Sequence, residues 1–166
     1  MRYFLDTEFI ESGPKKPIQL ISIGIVAEDL RQLYRISAEF NPDDASQWVK
    51  DNVLAQLEDY ERGSLTLIAD DIRRFCDPDK FGKPEFWGYY ADYDWVVFAQ
   101  IFGTMMDLPK GFPMYCRDLK QLCDEKGNPK LPEQGKGEHN AMADACWNMK
   151  AYQFLQAWPP KQKDAK

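Results

Sequence analysis

The sequence predicts an α/β domain built on a mixed sheet. Three observations carry this. The first forty residues hold three strand-like segments separated by short turns. Past Asn41-Pro42 the apolar spacing changes from a period of two to a period near that of a helix. From there helical and strand-like segments alternate, the pattern that lays helices against a sheet.

Residues 2–9 read as a first strand, rich in β-formers and partly apolar. Gly13-Pro14-Lys15-Lys16-Pro17 is a turn punctuated by two prolines. Residues 18–27 are a second strand, and its near-continuous apolar run Leu20-Ile21-Ser22-Ile23-Gly24-Ile25-Val26 predicts a central position. Residues 31–40 are a third strand, joined to the second by a hairpin at Glu28-Asp29-Leu30. These three form an antiparallel meander. Residues 45–57 then read as a helix, with Trp48, Val49, Val53, Leu54 and Leu57 near helical spacing. Ser64 caps a second helix running through Leu65, Leu67, Ile68, Ile72 and Phe75 and ended by Pro78 and Gly82. A fourth strand at 84–90 leads into a helix at 92–106, with Asp92 as its cap and Gly103 weakening its end. A short fifth strand is expected at 112–116, a helix at 117–126, and a loop at 127–138 with three glycines and two prolines. The last helix spans 140–157 and stops at Pro159-Pro160. The expectation is one domain over 1–158 and a disordered tail over 159–166.

Bulk properties exclude several classes. A chain of 166 residues can bury a sizeable core, and 44% hydrophobic with 29% charged residues is a globular composition. No apolar stretch approaches the ~20 residues of a membrane span, and the first residues lack a signal-peptide layout. Cys76, Cys116, Cys123 and Cys146 show no paired spacing, which predicts free thiols in a reducing, cytoplasmic setting and no zinc site. The formal charge of −6 argues against long, tight duplex binding, although lysines cluster at Lys15-Lys16, at Lys80 with Lys83, and at Lys126 with Lys130 and Lys136.

The chemistry concentrates in Phe4-Leu5-Asp6-Thr7-Glu8-Phe9. Positions two apart on a strand share a face, so Asp6 and Glu8 project side by side from a segment that otherwise favours burial. Adjacent carboxylates repel, and a divalent cation is the usual partner for an all-oxygen set. The alternative is an edge strand with a solvated face. Two later segments bear on this choice: Tyr90-Ala91-Asp92-Tyr93-Asp94-Trp95, where a turn gives way to a helix, and His139-Asn140-Ala141-Met142-Ala143-Asp144, which holds the only histidine.

Together, in this order and spacing, the three segments resemble the DEDD superfamily of 3′–5′ exonucleases in its histidine branch. Asp6 and Glu8 match the Asp-x-Glu of the first motif, Tyr93-Asp94 the end of the second, and His139 with Asp144 the His-x₄-Asp of the third. The opening, Met1 to Glu11 and Leu20 to Gly24, is similar to the small stand-alone ribonuclease AS-like group. One departure is Gly88-Tyr89-Tyr90, which stands where many members carry an Asn. The resemblance implies an RNase H-like fold, with five strands expected here and helices on both faces. It implies two Mg²⁺ or Mn²⁺ held by Asp6, Glu8, Asp94 and Asp144, with His139 as general base. It implies stepwise release of 5′-mononucleotides from single-stranded RNA tails or 3′ overhangs, a preference for adenylate, and a homodimer. Relatives use the segment after the Glu to hold the terminal nucleotide, which makes Thr7 and Phe9 candidate substrate contacts; a core position for Phe9 is the alternative.

On a helix, positions five apart differ by roughly 140° in direction, so His139 and Asp144 cannot share a helical face. His139 is therefore expected on the loop before the last helix, from which it can reach the metals; the alternative is a surface histidine. Two rival functions remain at this stage. A 3′–5′ exodeoxyribonuclease differs in its treatment of the 2′-OH, which the sequence does not display. A non-catalytic nucleic-acid-binding protein with a degenerate site is disfavoured, because all five motif positions are intact.

Overall fold

The computed structural model describes residues 1–57, 60–135 and 137–159. Of the tail predicted as disordered, only Pro159 falls within these, and Lys136 lies outside them. Six strands, β1 (Arg2–Ile10), β2 (Gln19–Ala27), β3 (Gln32–Ser37), β4 (Arg62–Gly63), β5 (Glu85–Gly88) and β6 (Arg117–Asp118), form one mixed sheet in the order β4-β3-β2-β1-β5-β6. The first three strands pair antiparallel, as the meander predicts. The outer pairs β3–β4, β1–β5 and β5–β6 are parallel. The helices are α1 (Gln47–Asn52), α2 (Leu65–Phe75), α3 (Pro78–Phe81), α4 (Asp92–Phe102), α5 (Leu119–Glu125) and α6 (Ala141–Ala157). None is long and apolar enough to cross a membrane, among the described residues.

The sheet has six strands rather than the five expected. Two-residue β4 is too short to leave a periodic signal. The predicted fifth strand at 112–116 is irregular, and β6 begins only at Arg117. Pro113 cannot donate to a ladder, and Phe112 instead enters the core against Phe86 and Phe98. The helix expected over 45–57 breaks after Asn52 into a 3₁₀ turn at Leu54–Gln56, with Val53 buried at the junction. The helix expected to 106 ends at Phe102, where Gly103 takes φ +121°, and Thr104 caps a separate 3₁₀ turn. Asp92 is not a cap. Ala91 occupies that position without a side-chain bond, and its N–H is taken by the Asp118 carboxylate at 2.8 Å.

The alternation of β1 divides the domain into two layers. Tyr3 and Leu5 enter a core with Ile23, Ile25, Ile68, Ile72, Phe86, Val97 and Phe98, which packs α2 and α4 on one face. Phe4 points to the other face, where Leu119, Cys123, Ala151 and Leu155 bring α5 and α6. A third cluster, with Ile10, Ile21, Ile36 and Val53, seats the α1 segment on β1, β2 and β3. Asp6 pairs with Gly24 and Glu8 with Ser22, so both carboxylates project to the α6 face. Gly24 makes the close approach possible: a Cβ there would stand 2.2 Å from the Ala141 carbonyl oxygen. The α6 N-terminus therefore rests on β2 backbone, directly beside Asp6. Deeper along the helix, buried Asn148 donates to the Leu5 carbonyl at 2.8 Å and ties α6 to β1.

Candidate active site

Asp6, Glu8 and Asp144 converge from β1 and α6, each offering a carboxylate oxygen within 4.8 Å of the others. Asn140 caps α6 by accepting from the Met142 and Ala143 N–H groups, which places Asp144 in the first turns, facing the strand. Its two oxygens are already oriented. Oδ1 accepts from Gln134 Nε2 at 2.6 Å, and Oδ2 accepts the backbone N–H of His139 at 2.9 Å.

Asp94 arrives from the opposite face, at the start of α4, and is not within the group of three. Its Oδ1 accepts both the Thr7 N–H at 2.8 Å and the Thr7 hydroxyl at 2.6 Å. Pairing of β1 with β5 runs from Arg2 to Phe4, so the β1 edge beyond it meets α4. Thr7 is buried, and its visible task is to fix Asp94. Phe9, half-buried, stacks on the half-exposed Tyr93 ring at 5.7 Å and 6°.

Among the described residues no ion pair involves Asp6, Glu8, Asp94 or Asp144. The electrostatics follow from that. Burial, then repulsion from Asp94, Glu8 and Asp144, pushes the Asp6 carboxyl well above its ordinary range. Burial, then Asp144 and Asp94, pushes Glu8 up to about 8. Burial raises Asp94 to about 6 despite the two Thr7 bonds that favour its charged form. Asp144 is raised too, because burial outweighs its bonds to His139 and Gln134. Such a cluster cannot be fully ionised near neutral pH without positive charge among its members. The donor set is all oxygen, as hard divalent cations require, and the residues present fit such a group.

His139 lies in the turn before α6, as its spacing from Asp144 predicts. Its backbone takes φ +69°, a left-handed conformation that costs a non-glycine residue about 1–2 kcal/mol. Gly137, at φ +134°, precedes it. The imidazole meets the Trp48 indole edge-on, ring centroids 4.8 Å apart.

Gln134, Asn148, Gly24 and Trp48 are not among the site residues expected from the sequence. Asn148 carried a usable signal, a polar residue four after Asp144 on the buried helical face. Gln134 sits in an aperiodic loop and left none.

Residues 1–156 match the family described as the 3′–5′ exoribonuclease Rv2179c-like domain. The chain is 38% identical over 158 residues to 3′–5′ exoribonuclease Rv2179c of Mycobacterium tuberculosis strain H37Rv, covering 93% of each chain. It shows the same identity and coverage with 3′–5′ exoribonuclease MT2234.1 of strain CDC 1551. Together with a match from end to end of the sheet and through α6, this level of identity means that the chain belongs to the Rv2179c-like 3′–5′ exoribonuclease domain family.

Proposed function

We propose that this protein is a divalent-cation-dependent 3′–5′ exoribonuclease of the histidine branch of the DEDD superfamily, with an RNase H-like fold. The observation that carries the reading is the convergence of Asp6, Glu8 and Asp144 within 4.8 Å, with no cationic side chain paired to them among the described residues. Asp6, Glu8 and Asp144, with Asp94 facing them, would hold two Mg²⁺ or Mn²⁺. When bound, these ions would lower the pKa of the attacking water and neutralise charge developing on the phosphoryl and leaving oxygens.

The chain's own residues do the rest. Thr7 holds one oxygen of Asp94 in place through two hydrogen bonds. Gln134 and the His139 N–H hold Asp144 in a fixed rotamer. His139 takes the proton from the attacking water as general base, a task suited to an imidazole near neutral pH. Phe9, half-buried against the α2/α4 core and stacked on Tyr93, and Thr7 are the candidate contacts for the terminal nucleotide. The substrate is a single-stranded RNA tail or 3′ overhang, adenylate-rich by resemblance, and the products are 5′-mononucleotides. The working form is a cytoplasmic homodimer.

The test uses 5′-labelled linear RNA, the same sequence as DNA, a 3′-phosphorylated RNA and a circular RNA, each with Mg²⁺ or with EDTA. The expected result is stepwise shortening of linear RNA from its 3′ end, slower turnover of DNA, a block by 3′-phosphate and silence in EDTA. Cleavage of the circle at a comparable rate, or full activity in EDTA, would overturn the proposal.

A further inference from the structure

The segment carrying α1 contributes no carboxylate and lies outside all three motifs, yet it touches the site. Its inner side is core: Ala45 and Val53 are buried with Ile10, Ile21 and Ile36. Ser46 fixes the start of the helix by accepting the Val49 N–H at 3.2 Å. Its outer side meets the His139 turn at two points. Gln56 Nε2 donates to the carbonyl of Glu138 at 3.0 Å. The Trp48 indole meets the His139 imidazole at 4.8 Å and 79°. Trp48 is 54% exposed, an unfavourable placement for so large an apolar ring, and this is the one ring contact it makes among the described residues.

We propose that Trp48 and Gln56 are positioning residues for His139, so that an arm anchored in the core sets the direction of the imidazole; this rests on His139 being the general base. A base must lie within hydrogen-bond reach of the proton it takes. A histidine in a glycine-rich turn has many accessible rotamers and a peptide plane free to flip. The Glu138 carbonyl, held by Gln56, fixes the plane immediately before the left-handed His139. The indole closes off one side of the ring's rotation. Asp144 fixes the third point, by accepting the His139 N–H at 2.9 Å. Of these three restraints, two come from the α1 segment.

The only histidine in the chain makes the experiment specific, because isotope-labelled imidazole gives one set of NMR signals. The variants are Trp48→Ala, Trp48→Phe, Gln56→Ala, His139→Ala and the double variant Trp48→Ala/His139→Ala. In the protein as purified, the imidazole carbon-bound protons should be displaced by the indole ring current, and Trp48→Ala should return them towards free-histidine positions. With labelled single-stranded RNA and Mn²⁺, Trp48→Ala should lose about 10–10²-fold in kcat with KM changed less than about twofold. Trp48→Phe should recover most of the loss, and Gln56→Ala should lose kcat in the same sense. The double variant should be no slower than His139→Ala, because Trp48 acts through the imidazole. A loss that persists in the His139→Ala background, or that appears in KM, makes Trp48 an RNA contact and overturns the proposal. Wild-type kcat in both Trp48→Ala and Gln56→Ala overturns it equally. His139→Ala with full activity overturns the general-base reading itself, an outcome separate from the other two.

Discussion

Gly24 offers the sharpest test of how the fold builds the site. A Cβ on Gly24 would stand 2.2 Å from the Ala141 carbonyl oxygen, 2.5 Å from its carbon and 2.6 Å from the Met142 Cα. Ordinary carbon–oxygen contact is about 3.3 Å, so the two backbones must separate by roughly 1 Å. All three atoms are backbone, and no side chain can rotate away. Gly24 pairs with Asp6 across β1 and β2, while Ala141 opens the helix that carries Asp144. Whichever side yields, a carboxylate moves relative to the others. A misplacement of 1 Å can cost about 10²-fold in rate, and overpacking costs about 1–3 kcal/mol. Gly24→Ala should therefore lower kcat on labelled single-stranded RNA by about 10²-fold and lower Tm by roughly 2–12 °C for a chain of this size. The assay is thermal unfolding followed by RNA turnover with Mg²⁺ well below the new Tm. A variant with wild-type Tm and wild-type kcat would refute the view that this contact sets the carboxylate spacing.

Asp6→Ala, Glu8→Ala, Asp94→Ala and Asp144→Ala should each leave a folded protein with almost no hydrolysis, checked by circular dichroism and RNA turnover. Folded Glu8 keeps its proton up to about pH 8, whereas its ordinary value is 4.5. The native state therefore binds more protons across that window, and stability of the metal-free protein should fall as pH rises through it, by on the order of a few kcal/mol. Saturating Mg²⁺ should flatten that slope, and Glu8→Gln should reduce it; a flat metal-free Tm between pH 5 and pH 8 contradicts the electrostatics described above. His139→Ala should lose about 10²–10⁴-fold in kcat while a direct Mn²⁺ titration stays unchanged. Asn148→Ala removes the buried donor to the Leu5 carbonyl and should cost about 1–3 kcal/mol, read as a lower denaturation midpoint; an unchanged midpoint would mean that this bond does not anchor α6.

What the sequence made legible was local. Asp6 and Glu8 stand out because a period of two fixes their shared face whatever the surroundings. His139 could be placed before the helix because five residues do not fit one helical face. Ser64 announces α2 through a cap that needs only three neighbouring residues, and the structure has Ser64 accepting the Leu67 N–H. The misses are cases where a distant partner decided the outcome. Asp92 has the chemistry of a cap, but the helix already starts at it, with Ala91 as the cap residue and the Ala91 N–H bound by Asp118, remote in sequence. Thr7, a candidate substrate contact in the sequence, gains from the arrival of α4 a partner that the sequence does not display, since both its donors hold Asp94. Phe112 has β propensity, yet the ring cluster of Phe86 and Phe98 draws it out of the sheet. Strands as short as β4 and β6 have no periodicity to read and exist because a neighbouring strand offers them an edge.

The placement of β1, fourth of six strands and flanked on both sides, has a consequence for the order in which the molecule comes apart. Its amides should exchange with solvent only through global opening. The turn at 137–139 is held by separate bonds, Asn140 N–H to the Gly137 carbonyl at 3.2 Å, His139 N–H to Asp144 at 2.9 Å and Gln56 to the Glu138 carbonyl at 3.0 Å, rather than by a ladder, and its amides should exchange through smaller, local openings. Asp6 and Glu8 thus ride on the slowest-exchanging part of the chain and His139 on a turn that opens more easily. Warming or mild denaturant should dissolve the histidine's alignment while the strand carboxylates stay in register, so activity should fade well before the sheet melts and return on cooling without refolding.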